Sequence, residues 1–301
     1  MITSYSEISQ NEKIGKRVNY NIGAVADLAK REEQKNAIGD EIKRLLLCID
    51  VQNDFMEGGS LAVPGSLKDV ERINNFIYNN LYKITKIACS MDTHQMYQIF
   101  FPSWWKDVDG NEPEPYTIIT LEDVESGKWI PHKDKDLTLR YLRDLKDTGK
   151  RMLCIWPYHC IEGSIGRDLE NEFRKMVCFH DIVRKAENVI LPKGMHQFSE
   201  MYGIVKPESL IDPFFNEEAI NLVRDFDEIY VVGEAKSHCV LDSVKQLLLE
   251  FADNKYKTSR IIVLKDCMSS IPGYEEETER EFEELKSTYN IRIENSEDIV
   301  L

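Results

Sequence analysis

The chain contains no run of about 18 apolar residues, so no membrane-spanning helix is expected. It has no Cys-x-x-Cys pair, and its 7 cysteines are an odd number. Both facts argue against a disulfide framework and against a zinc knuckle. Positive charge is in deficit: 38 Lys and Arg stand against 53 Asp and Glu, a formal net charge of −15. So acidic a surface repels phosphate backbones and anionic lipid, which disfavours nucleic acid and membrane as partners. The opening residues, Met1 to Glu7, lack a basic stretch followed by an apolar one, so a secretory leader is not expected. There is no internal repeat and no low-complexity tract. These absences point to a soluble protein of a reducing, cytoplasmic compartment. What is present is a hydrophobic fraction of 42%, enough to bury a sizeable core, in 301 residues, which suit one large domain or two small ones.

Residues 1–42 are polar and mixed in charge, and read as an N-terminal arm packed on the body or on a neighbouring subunit. The body, 43–301, repeats one pattern. Nearly all-apolar runs of strand length occur at 45–50, 84–92, 152–156, 228–233 and 260–264. Between several of them lie apolar stripes at helical spacing: Val70, Ile73, Ile77 and Leu81; then Val240, Val244, Leu247, Leu248 and Phe251; then Phe282, Leu285 and Tyr289. This alternation specifies an α/β protein: a parallel, Rossmann-like sheet of about six strands with helices on both faces, in three layers. The segment 101–150, with Trp104-Trp105 and Trp129-Ile-Pro-His, breaks the pattern and reads as an insertion of the lid or subunit-contact kind.

Ligands of such sheets bind beyond the carboxyl ends of the strands, so residues there are the candidates. Cys239 follows the 228–233 run, in the first turn of a helix for which Ser237 is the expected N-cap. Unpaired amides of that turn would lower the thiol pKa and could also receive an oxyanion. Cys48, Cys89, Cys154 and Cys267, in or beside strands, read as structural. His238 is adjacent in sequence and so cannot face Cys239 across a helix; it is expected to pack or hydrogen-bond behind the site. Asp50, closing the first apolar run, is the candidate base, with Asp54 as a weaker competitor in a turn. Asp92 and His94, two apart in an extended segment, point the same way and suit a metal, with His159 as a third ligand.

Five stretches together resemble the isochorismatase-like superfamily, and within it the nicotinamidase-related cysteine hydrolases. They are Asp50-Val-Gln-Asn-Asp-Phe-Met-Glu-Gly-Gly-Ser-Leu-Ala-Val-Pro-Gly65, Asp92-Thr-His94, Trp156-Pro-Tyr-His-Cys-Ile-Glu-Gly163, Lys193-Gly194 and Gly233-Glu-Ala-Lys-Ser-His-Cys239-Val. Their order matches the family's across about 43–298, leaving the arm and the insertion outside. The resemblance implies a catalytic triad of Asp50, Lys193 and Cys239. It implies a cis peptide at Glu234–Ala235 and an oxyanion hole built from the Ala235 and Cys239 amides. Phe55 and Trp156 would sandwich a flat substrate. A divalent metal (zinc, manganese or iron) would sit on Asp92, His94 and His159, and Gln98 stands where the family's further histidine is expected. A neutral amide is a poorer ligand than imidazole, so weaker or altered metal binding follows. The implied activity is hydrolysis of a C–N bond in a small carboxamide through a thioester, in a homo-oligomer. Ureide or N-carbamoyl amidase, isochorismatase-type hydrolase and a non-catalytic binding protein are the alternatives.

Overall fold

The computed structural model describes residues 1–301 except 210 and 212. Six strands form one parallel sheet: β1 (Arg44–Ile49), β2 (Lys86–Asp92), β3 (Val189–Lys193), β4 (Glu228–Gly233), β5 (Ile261–Leu264) and β6 (Arg292–Glu294). Their spatial order is β6-β5-β4-β1-β2-β3. The chain builds outward from β1 to β3, then returns to place β4 on the other side of β1. That reversal leaves a crevice above β1 and β4, where open α/β sheets bind ligands.

Burial explains the strand composition. In β1, Leu45, Leu46, Leu47, Cys48 and Ile49 are all fully buried, which requires cover on both faces. The helices α1 (Ile22–Ala29), α2 (Ser66–Asn79), α3 (Lys135–Asp147), α4 (Asn171–Arg184), α5 (Leu241–Glu250) and α6 (Glu275–Tyr289) accompany the sheet. α2 and α4 pack together, α1 lies against α4, and α5 and α6 form a second pair. The expected stripe Val70, Ile73 and Ile77 is the buried side of α2. Among the described residues, no helix is long and apolar enough to cross a membrane.

The strand reading needs one correction. Of 152–156 only Leu153–Cys154 is extended, and it pairs antiparallel with Ile118–Ile119, outside the main sheet. The sheet position beside β2 belongs to β3, which contains Pro192 and is only partly buried. A proline lacks the N–H that an inner strand must donate, so it is tolerated at an edge, where the apolar signal is also weakest. β6 is the opposite edge and escaped notice for the same lack of apolar residues.

The arm packs on the body through buried carboxylates. Glu172 accepts from the Gln10 amide, and Glu170 accepts from the amides of Gly15 and Phe173. Asp40 pairs with buried Arg184. Burial pushes the Glu170 carboxyl from 4.5 up to about 7 despite its amide donors. Between those two values the folded chain holds a proton that the unfolded chain releases. The Glu170 contribution is therefore present below pH 4.5 and lost as pH rises through about 7. Replacing Glu170 with Gln removes this titration. The stability difference between wild type and Glu170→Gln, measured by urea denaturation, should shift against wild type by roughly 3 kcal/mol across that window. A difference independent of pH would refute it.

Candidate active site

Asp50 directly follows β1 and takes a left-handed backbone, φ 46°, which Asp tolerates better than most residues. Ser90 of β2 holds it twice, accepting from the Asp50 amide at 3.0 Å and donating to Oδ1 at 2.5 Å. Lys193 ends β3 in register with Asp92 at the end of β2. Its buried ammonium lies 2.9 Å from Asp92 Oδ1, 3.0 Å from Asp50 Oδ2, 3.1 Å from the Met201 carbonyl and 3.6 Å from Cys239 Sγ. Cys239 follows β4, whose end is paired with that of β1 (Ile49 opposite Gly233). Gly233 has φ 118°, and a Cβ there would meet the Ile49 carbonyl at 2.0 Å. Four strand ends thus deliver one cation, two carboxylates and a sulfur to one spot. The Cys239 sulfur and an oxygen of each carboxylate lie within 4.8 Å of one another.

The protons can be counted. Lys193 directs hydrogen bonds to Asp92, Met201 and Cys239, while Asp50 Oδ2 is buried with no hydrogen-bond donor. The Cys239 S–H is the donor that oxygen lacks. Burial raises the Asp50 carboxyl, with Lys193 opposing and Asp92 adding to the rise. Burial works against the Lys193 charge, but Asp50 and Asp92 outweigh it and keep the ammonium protonated well beyond its usual range. Asp92 is held low by His94 and Lys193 against its own burial.

Three expectations about the Cys239 segment change. Burial drives the Cys239 thiol well above its ordinary value in spite of Lys193, so the resting group is a thiol and not the thiolate inferred from a helix start. Ser237 does not cap a helix: a π-helical turn spans Lys236–Val240 before α5, and the Ser237 hydroxyl accepts from the Ile271 amide and bonds His238 Nδ1. His238 lies in the pocket wall and not behind it, with burial and Arg151 pushing its imidazole down to about 3. The Glu234–Ala235 peptide is cis, and the Ala235 amide has no backbone acceptor among the described residues. Asp54 is spent on structure: it accepts from the Cys160 amide at 2.8 Å and pairs with Arg17.

Asp92, His94 and His159 form one buried cluster. His94 Nδ1 bonds the Gly194 carbonyl at 2.9 Å, and His159 Nδ1 bonds the Pro157 carbonyl at 2.8 Å. When the rings are neutral and each carbonyl takes the ring N–H, both Nε2 lone pairs face Asp92 Oδ2, at 3.0 and 3.8 Å. His94 Nε2 is buried without a hydrogen-bond partner. Three converging acceptors with no donor are what a cation relieves, and ring orientation by carbonyls is the usual support of histidine ligands. These residues fit a divalent ion. Gly194 makes room for them: its φ is 77°, and a Cβ would strike Asp92 Oδ1 at 2.4 Å. Gln98 does not join the cluster. Its amide nitrogen donates to the carbonyls of Gly194 and His196, and its oxygen accepts from the Gln95 amide, so it braces the backbone beside the cluster.

Above the sulfur lies a narrow pocket walled by Phe55, Trp156, Tyr202, Glu200 and His238, with Asp92 and His159 at one end. Glu200 and Tyr202 are additions that sequence reasoning missed. They follow β3, and a strand that is not recognised leaves its trailing loop uninspected. Glu200 accepts from Trp156 Nε1 and from the Met201 amide, and burial raises its carboxyl to about 7. The insertion backs this wall: the Tyr141 hydroxyl accepts from the Glu200 amide, and the Tyr116 ring stands edge-on to Trp156.

No family model matches the chain. It is 25% identical to the nicotinamidase of Saccharomyces cerevisiae over 256 residues, covering 83% of this chain and 98% of the relative. It is 24% identical to the Escherichia coli nicotinamidase over 211 residues, 68% of this chain and 76% of that one. The solved yeast nicotinamidase superposes with a TM-score of 0.58 at 22% identity, over 84% of this chain and 99% of that chain. The Acinetobacter baumanii nicotinamidase/pyrazinamidase gives 0.56 at 21%, over 86% and 98%. Taken with the ordered motifs at the strand ends, these relatives make the chain similar to the nicotinamidases, on a three-layer α/β/α fold.

Proposed function

We propose that this amide-cleaving hydrolase attacks a small planar carboxamide with Cys239 and passes through a thioester. The carrying observation is the Lys193 ammonium, buried within reach of Asp50, Asp92 and the Cys239 sulfur beneath an aromatic pocket. The Asp50 carboxylate takes the Cys239 proton, and Lys193 offsets the charge left on sulfur. The sulfur adds to the substrate carbonyl, and the Ala235 and Cys239 amides receive the oxyanion, each such donor contributing about 3 kcal/mol. Collapse expels the amine, which takes the proton back from Asp50. Water, deprotonated by Asp50, then cleaves the thioester; the carboxylic acid leaves and the thiol is restored. Phe55 and Trp156 hold the flat face of the substrate. Asp92, His94 and His159 would hold a divalent ion, which supplies Lewis-acid binding of a substrate lone pair.

The relatives named as nicotinamidases favour nicotinamide as substrate, and an ammonia-release assay with nicotinamide and an N-carbamoyl amino acid tests this. Turnover of the ureide alone would move the specificity; turnover of neither would remove the proposal. Titration with zinc or manganese should show one ion per chain, and Asp92→Asn should weaken it at least about tenfold; equal affinity would exclude this cluster. All 7 cysteines are free, which suits a reducing cytoplasm, and a homo-oligomer is the assembly this reading carries.

A further inference from the structure

A second cavity lies between the N-terminal arm and the β2–β3 edge, sharing no wall residue with the Cys239 pocket. Met91 and Ile190 contribute apolar wall; Arg17 and Tyr20 come from the arm, and Arg174 from α4. Met91 precedes Asp92 in β2, so their side chains leave opposite faces of the sheet. The cavity is therefore on the face away from the chemistry.

Arg174 is the anomaly. Its guanidinium makes no hydrogen bond or ion pair with any described residue, and its Nη1 is buried without a partner. Arg174 is half-buried, but arginine cannot shed its proton, so a buried, unpaired Nη1 is a standing cost unless something else satisfies it. Arg17 spends one nitrogen on Asp54 at 3.2 Å, and its side chain is 48% exposed, so its other donors are free to turn inward. One carboxylate, Asp168, lines the same space and pairs with neither arginine. With Asp54 holding Arg17 from outside the lining, the cavity wall itself presents two guanidiniums and one carboxylate in a chain of net charge −15.

We propose that this cavity binds a small organic oxyanion, a carboxylate or phosphate ester with an apolar body, gripped by Arg174 and Arg17. The planar fork matches the two oxygens of either head group, and the apolar wall takes the body. Because the arm supplies Arg17 and Tyr20, occupancy would also tie the arm to the sheet edge.

Benzoate and phenyl phosphate, titrated calorimetrically into the full chain at fixed ionic strength, test the site. At least one should bind saturably below roughly 10 mM, and which one does identifies the head group. Arg174→Gln should weaken that binding about tenfold or more, while Arg174→Lys, which keeps the charge but loses the fork, should fall between. Thermal melts of both variants establish that they fold. Absence of saturable binding by either probe, or binding by a folded Arg174→Gln equal to wild type, overturns the proposal. Amide hydrolysis plays no part in this readout, so failure here leaves the Cys239 mechanism untouched.

Discussion

Cys239→Ala is expected to lower kcat/KM by about four orders of magnitude or more while leaving the fold in place. The sulfur is the one nucleophile within reach of both Lys193 and Asp50 among the described residues. Alanine leaves water as the only attacking group. The structural cost is small: one buried sulfur atom is removed, worth about 1 kcal/mol. The Ala235 and Cys239 amides and the aromatic walls survive, so substrate binding should persist even as turnover disappears. Ammonia release, a thermal melt and substrate titration together separate these effects. A folded variant that retains more than about 1% of wild-type activity would show that sulfur does not form the covalent bond.

Lys193→Met should damage both activity and stability. Its ammonium is fully buried between two carboxylates, and removing one partner of such a network leaves uncompensated charge, a loss of roughly 3–5 kcal/mol. The pH dependence distinguishes this from simple repacking. Without Lys193, burial and Asp92 raise the Asp50 carboxyl further, because the cation that opposed them is gone. A folded-state pKa raised above the unfolded value of 3.8 gives stability that is present in acid and lost as pH rises. The variant should therefore lie closest to wild type near pH 5 and fall further behind toward about pH 8. Urea denaturation at the two values reads the difference. A gap under about 1 kcal/mol, or one that does not widen with pH, would mean the charges are compensated elsewhere. Activity should fall by about a thousandfold, since the sulfur would have to carry its charge in a low-dielectric site without a counter-ion.

Legibility in the sequence tracks how local each feature is. β1, β2, β4 and β5 announce themselves because strands covered on both faces must be apolar throughout. β3 and β6 are edges, partly exposed, and carry Pro192 and charged residues that a strand pattern rejects. Missing β3 had a consequence, since its trailing loop holds Glu200 and Tyr202 in the pocket wall. Asp50, Cys239, Asp92, His94 and His159 could be singled out as chemical groups just past apolar runs. Lys193 could not, because a lysine after a weak strand looks like any surface lysine; only motif order pointed to it. Gln98 occupies a ligand's place in sequence, yet backbone groups absorb both ends of its amide.

The alternation of apolar runs with amphipathic stripes was enough to specify a parallel three-layer sheet and a crevice at its carboxyl rim, because burial on two faces constrains composition residue by residue. Tertiary structure alone decided the charge states and the partners: Cys239 rests as a thiol, Lys193 stays an ammonium, and Arg174 stands unpaired beneath the arm. Those properties depend on desolvation and on distances between residues far apart in the chain, which no local pattern encodes.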